Sequence, residues 1–178
     1  MYLCKPTRET IENWKTLLSL DVSDLLSPLR VTINEIDLNS RQELEDLLWE
    51  YTRLFIGPYK LPCPPWESVY TSSKRLMMQD AYDEVKNIYT KIGLTINNPD
   101  IMYDHIGAEL NFMAVLFQKM DNEPQNRLFY MDIAKRFLED HLIKWIPQFT
   151  MDMEKATDSQ FFKALAQVTR NLVNNKFT

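Results

Sequence analysis

The side chains best placed to do chemistry in this 178-residue chain lie in one run, Asp104-His105-Ile106-Gly107-Ala108-Glu109. His105 and Glu109 are four residues apart, so a helix through the run stacks them on one face, which Phe112 and Leu116 extend. Asp104, one residue earlier, points about a quarter-turn away. Three uses fit those residue types. A histidine hydrogen-bonded to Glu109, with Asp104 favoured by the dipole of the helix N-terminus, would be structural. A small helical metal-binding protein would draw on His105, Glu109 and the second histidine, His141, although a structural zinc usually takes four ligands. A binding site would use the carboxylates as acceptors for a cationic partner. The run alone leaves all three open.

Other catalytic equipment is missing from the sequence. It has no Gly-x-Ser-x-Gly elbow, no CxxC and no glycine loop to cradle a phosphate. The Glu-x-x-His pattern of carboxylate-bridged di-iron bundles is absent as well. With 3 glycines in the chain, close backbone approach to a nucleotide is hard to build. His141 follows Glu139 and Asp140 on an amphipathic pattern and reads as a histidine at the edge of a core. The expectation is a protein that is not an enzyme, with no catalytic residue, no cofactor and no metal of its own.

A second feature is the stretch from Glu50 to Tyr70, EYTRLFIGPYKLPCPPWESVY. It begins as the end of an amphipathic helix and stops at Gly57-Pro58, a left-handed cap followed by a residue that cannot continue the helix. Pro62, Pro64 and Pro65 then stiffen the chain up to Trp66. A rigid loop loses little entropy on holding a partner, and Trp66 offers an apolar face. The plain alternative is a rigid crossover with Trp66 as core filler and Cys63 packed beneath it.

Composition narrows the class. Apolar residues make up 45% of the chain, charged residues 25%, and 9 methionines outnumber the glycines, as in a helical globular domain. The net charge of −5, with no dense run of Lys or Arg, argues against a nucleic-acid partner and suits a basic peptide. Cys4 and Cys63 form neither a metal-ligand spacing nor a disulfide framework, which points to reduced thiols in a cytoplasm. No stretch has signal-peptide character or approaches the roughly 20 apolar residues of a membrane span.

Helical periodicity then places the elements. Thr7 caps a first helix with Ile11, Trp14, Leu17 and Leu18 inward. Asp21 to Leu29 reads as a short helix or turn interrupted by Pro28. Ser40 to Glu43 has capping-box spacing and opens a helix to about Phe55. Ser68 to Thr71 reads as extended, and a helix is expected from Ser72 or Ser73 to Ile92, closed by Gly93. Another runs from about Asp100 to Met120 with Ile106, Leu110, Met113, Phe117 and Met120 inward. Pro124 opens a helix expected to stop at Pro147, and Thr157 to Gln160 caps the last. With no linker or repeat, the prediction is all-α, a single-domain helical bundle over residues 1–178.

Taken together, three segments resemble the TorD/DmsD family of cytoplasmic chaperones for molybdenum-containing redox enzymes. They are Glu50 to Phe55 with Gly57-Pro58, Pro64 to Tyr70, and Tyr103 to Leu110 continuing into Phe112-Met113. A looser fourth is Phe137 to Leu142 with Trp145 and Pro147. Order and spacing match from about residue 40 to 150, whereas residues before about Leu38 depart from the pattern. The resemblance implies a monomer or dimer that binds the twin-arginine signal peptide of a molybdoenzyme subunit and holds the apo form until cofactor insertion. It places the peptide-binding region on Pro65, Trp66 and Tyr70 in the loop and on Asp104, His105 and Glu109 in the helix. An assembly factor of the NarJ type, serving a subunit that is not exported, is the alternative within the same fold.

Overall fold

The computed structural model describes residues 1–21, 23–58 and 60–174. Its elements are helical: α1 Arg8–Leu20, α2 Ser27–Glu35, α3 Arg41–Phe55, α4 Glu67–Thr71, α5 Asp80–Lys91, α6 Ile106–Asn122, α7 Arg127–Phe137, α8 Ile143–Ala156 and α9 Gln160–Asn174. Among the described residues the extended pairing is one isolated antiparallel bridge, Trp66 with His105. The all-α expectation holds. The chain divides into two compact units, residues 1–64 with 147–178, and residues 65–146. One boundary falls within the proline loop and the other within α8.

In the first unit the caps read from sequence are in place. Thr7 accepts from the Thr10 N–H and Ser40 from the Glu43 N–H, but the box at Ser40 is half-formed, since Glu43 Oε2 accepts from the Asp37 N–H at 3.2 Å instead. Pro28 opens α2 instead of interrupting it, because a proline at a first helical turn gives up an N–H that would be unpaired anyway. α1 buries Ile11, Trp14 and Leu18 but exposes Leu17. The core is aromatic. Phe55 meets Tyr2 at 5.8 Å, Tyr51 at 5.4 Å and Phe162 at 6.0 Å between ring centroids, all edge-on. Its polar tips are paired, the Tyr51 hydroxyl to the Tyr2 carbonyl at 2.9 Å and the Tyr2 hydroxyl to Thr169 Oγ1 at 2.8 Å. Cys63 is buried, its Sγ 3.6 Å from the Leu54 carbonyl, and burial pushes its thiol up to about 12.

The second unit departs more from the periodicity. Residues 72–79 are irregular, with Arg75 at φ 52° and Met78 at φ 56°, so α5 starts at Asp80, well after the expected Ser72 or Ser73. It ends as foreseen at Gly93, φ 73°, where the Gly93 and Leu94 N–H groups return to the Thr90 and Tyr89 carbonyls. α6 starts at Ile106, later than expected, and its buried stripe is broader than expected: Ile106, Met113 and Met120 are inside as foreseen, Glu109, Phe112 and Leu116 join them, and Phe117 is exposed. α7 passes through a π-turn at Leu138–Leu142 into α8, and Pro147 lies inside that helix without ending it. The π-turn absorbs an extra residue and carries a buried His141.

Candidate functional site

Sequence singled out Pro65-Trp66-Tyr70 and Asp104-His105-Glu109, and the second unit brings the two groups together. The Ile106 N–H donates to the Pro65 carbonyl at 2.9 Å, and the Glu67 N–H donates to the Asp104 carbonyl at 2.9 Å. These two bonds fasten Trp66 beside His105. Their rings meet edge-to-face at 6.0 Å between centroids. Trp66, Tyr70 and His105 are half-buried, and Pro65 is buried.

Asp104 explains why Ser68 to Thr71 winds as α4 when its residue types suggested extension. Trp66 precedes that helix and supplies no side-chain cap. The missing acceptor comes from 36 residues away: Asp104 Oδ2 accepts from the Ser68 N–H at 3.1 Å and the Ser68 hydroxyl at 2.6 Å. A carboxylate at a helix N-terminus satisfies an otherwise unpaired donor and suits the dipole. Asp104 is fully buried, and its Oδ1 has no hydrogen-bond partner. Burial pushes its carboxyl above the ordinary range, partly countered by the Ser68 bonds.

His105 is the N-cap of α6, not part of a His105–Glu109 face. Its Nδ1 accepts from the Gly107 N–H at 3.0 Å, so the ring is neutral with its proton on Nε2. Burial lowers its pKa to about 4, which agrees with that role.

Glu109 has no surface either. Its Oε2 accepts from the Trp145 indole N–H at 3.0 Å, while Oε1 has no hydrogen-bond partner. Burial first, and then the neighbouring Glu67 carboxylate, push Glu109 well above the usual carboxylate range. Sequence reasoning missed Glu67 and the partner of His141. His141 Nδ1 lies 2.9 Å from Glu67 Oε2 and 3.2 Å from Oε1, with both side chains buried. The acids next to His141 in sequence are not its partners. Nothing in spacing links residues 67 and 141; the available signal was an acid inside the apolar run Trp66 to Tyr70. Glu67 also borders a polar pocket of about 590 Å³ whose rim includes Asp80, Glu84, Asp140 and Lys144.

A buried set of three carboxylates and one histidine thus adjoins the half-exposed Trp66–His105 pair, while Tyr70, also half-buried, packs its ring on Trp145 at 5.5 Å between centroids. The carboxylates cap a helix, orient a tryptophan and hold a histidine, and among the described residues no group of three or more such ligands could hold a metal ion. Among the same residues no helix is long and apolar enough to cross a membrane.

The chain that folds this way, and joins Pro-Pro-Trp-Glu-Ser to Asp-His-x-Gly-x-Glu, matches a known protein family over most of its length. The family described as nitrate reductase delta subunit matches residues 3–151. The chain belongs to that family, within its TorD/DmsD branch. It is 29% identical over 126 residues to a protein of Haemophilus influenzae named "Probable Tat proofreading chaperone DmsD", a match covering 70% of this chain and 57% of the relative. It is 26% identical over 160 residues to the chaperone protein TorD of Aliivibrio salmonicida, covering 86% of this chain and 71% of that one. The chain therefore spans less than two thirds of the length of the first of these relatives. A crystal structure from Archaeoglobus fulgidus, assigned to redox enzyme maturation, shares the fold at a TM-score of 0.67 and 19% identity, covering 98% of this chain and 88% of that one. Members of the family are named as chaperones, not as enzymes.

Proposed function

We propose that this protein is a cytoplasmic chaperone for a molybdopterin-dependent redox enzyme. It binds the twin-arginine signal peptide of the enzyme subunit and holds the apo form until cofactor insertion and export. The observation that carries the reading is the Trp66–His105 bridge, which fixes the two motif segments as one face. Trp66, His105 and Tyr70 are the parts of that face a peptide can touch, and they suit the apolar stretch that follows the arginines. Pro65, Asp104 and Glu109 act from beneath, holding the face in shape. The names of the relatives support this client class.

The test is binding of a labelled synthetic peptide, Arg-Arg followed by an apolar stretch, read by fluorescence anisotropy. Trp66→Ala is expected to weaken it by roughly thirtyfold, the loss of a buried aromatic anchor worth about 2 kcal/mol. A Lys-Lys peptide is expected to bind less well than Arg-Arg, because lysine cannot make a bidentate bond to a carboxylate. Equal affinity across these combinations would remove the signal-peptide mechanism. The family's description as nitrate reductase delta subunit favours a second reading, an assembly factor for a subunit that is never exported. That reading predicts binding to the folded client subunit with no dependence on an arginine pair.

A further inference from the structure

The carboxylates that sequence offered to the arginine pair, Asp104 and Glu109, have no exposed surface and already serve internal donors. The first unit carries carboxylates that are within reach of a ligand. A groove of about 680 Å³ between the ends of α2, α3 and α9 is lined by Glu35, Glu43, Asp46, Glu50 and Asp158. Trp49 stands in the same wall and is 65% exposed, unusual for so large an apolar side chain. The groove already holds one guanidinium. Arg53 lies 5.9 Å from the Trp49 ring centroid and pairs with both Glu50 oxygens, at 2.7 and 2.8 Å. Those bonds outweigh the effect of burial and keep the Glu50 carboxyl below its ordinary value. Four carboxylates on the wall, those of Glu35, Glu43, Asp46 and Asp158, remain beyond the one that Arg53 uses.

A second chamber of about 480 Å³ adjoins the first, and the two share Thr32 and Gln160 as walls. Its chemistry differs. Pro28, Val31 and Ala164 line it beside Gln167 and Lys163, with Val31 55% exposed, and its single acid, Glu154, is taken up by both terminal nitrogens of Arg170 at 2.8 Å. An acidic chamber with an open indole thus runs into a partly apolar chamber whose one acid is neutralised and whose free charge, on Lys163, would turn a further cation away. A segment with cationic residues followed directly by apolar ones matches that order.

Resting on the reading above, we propose that this two-chamber groove receives the paired arginines of the client's signal peptide and the apolar residues that follow them. Both guanidinium groups pair with wall carboxylates as Arg53 does, and one of them can also lie against the exposed Trp49 ring.

The experiment uses the same labelled Arg-Arg peptide, with a Gln-Gln counterpart and the full chain. Glu35, Asp46 and Asp158 are exposed, so the triple variant E35Q/D46N/D158N should fold normally, as checked by circular dichroism. The expected result is about a tenfold weaker grip on the Arg-Arg peptide, three exposed pairs at a few tenths of a kcal/mol each. A further loss is expected from Trp49→Ala, with no change for the Gln-Gln peptide. Wild-type binding of the Arg-Arg peptide should also fall as salt rises, more steeply than in the triple variant. If the triple variant and Trp49→Ala bind Arg-Arg within twofold of wild type while Trp66→Ala weakens it, the groove is overturned and the peptide reading stands. If wild type binds no Arg-Arg peptide, both are overturned.

Discussion

The two units solve the problem of an interior differently. The first fills its middle with rings, Tyr2, Phe55, Phe149 and Phe162, and keeps its carboxylates on the walls of a groove. The second puts Glu67, Asp104, Glu109 and His141 inside, each with 3% exposure or less. An aromatic core tolerates change in proportion to volume lost. A buried polar set is stable only while its members satisfy one another, so removing one partner leaves the other's desolvation uncompensated. The difference teaches where specificity of structure is concentrated: the second unit's face depends on a few long-range bonds, the first unit's core on general packing.

The largest break in that contrast should come from His141→Ala. It strands the Glu67 carboxylate in the interior, and the expected cost is roughly 3–5 kcal/mol of unfolding free energy, measured by urea denaturation. Adding Glu67→Gln should restore part of it, since the neutral amide is cheaper to bury. A double variant no more stable than the single one would mean that the pair contributes only volume. Asp104→Ala ranks next, at about 2–3 kcal/mol, from a lost helix cap and an unpaired Ser68 hydroxyl. Asp104→Asn keeps an acceptor for α4 and should cost clearly less. Equal losses for the two would show that the charge, not the cap, is what α4 needs.

Much of the first unit and part of the second were legible in the sequence, for identifiable reasons. Thr7, Ser40 and Gly93 were readable because caps are local: the residue type and its neighbours decide them. The run Asp104 to Glu109 meets the proline loop as a candidate site, but its local geometry was misread, because His105 looks helical by spacing and turns out to be the cap. α4 looked extended because its own residues are β-branched and aromatic; the acceptor that starts it lies 36 positions away. The Glu67–His141 pair, 74 positions apart, leaves no local trace. Pro147 was expected to stop a helix, since only the fold can supply the surroundings in which a helix passes through it. The acidic groove escaped notice because its carboxylates are drawn from α2, α3 and the α8–α9 turn, and each alone reads as a solvated helix face.

The subtlest expected effect is a slope, not a loss, and it bears on pH, where the units also differ. The chain's 2 histidines, His105 and His141, both belong to the second unit. His105 has a folded pKa near 4 against an ordinary 6.5, because burial disfavours its charged form. Between those values the unfolded chain binds more protons at this site than the folded one, so its contribution to stability is full above 6.5 and drains away as pH falls towards 4. Asp104 and Glu109 act in the opposite sense. Their folded values are raised, so what they contribute is complete at acid pH and declines as pH rises through the raised values. Wild type alone therefore mixes the slopes, and His105→Asn separates them. Asparagine caps a helix well and cannot titrate, so the α6 start is kept while the proton linkage is removed. The difference in unfolding free energy between His105→Asn and wild type should grow in favour of the variant as pH falls from about 6.5 to 4, by at most a few kcal/mol. A difference that stays flat across that range would mean that His105 takes up its proton as readily in the folded chain as in the unfolded one, and the cap assignment would have to be withdrawn.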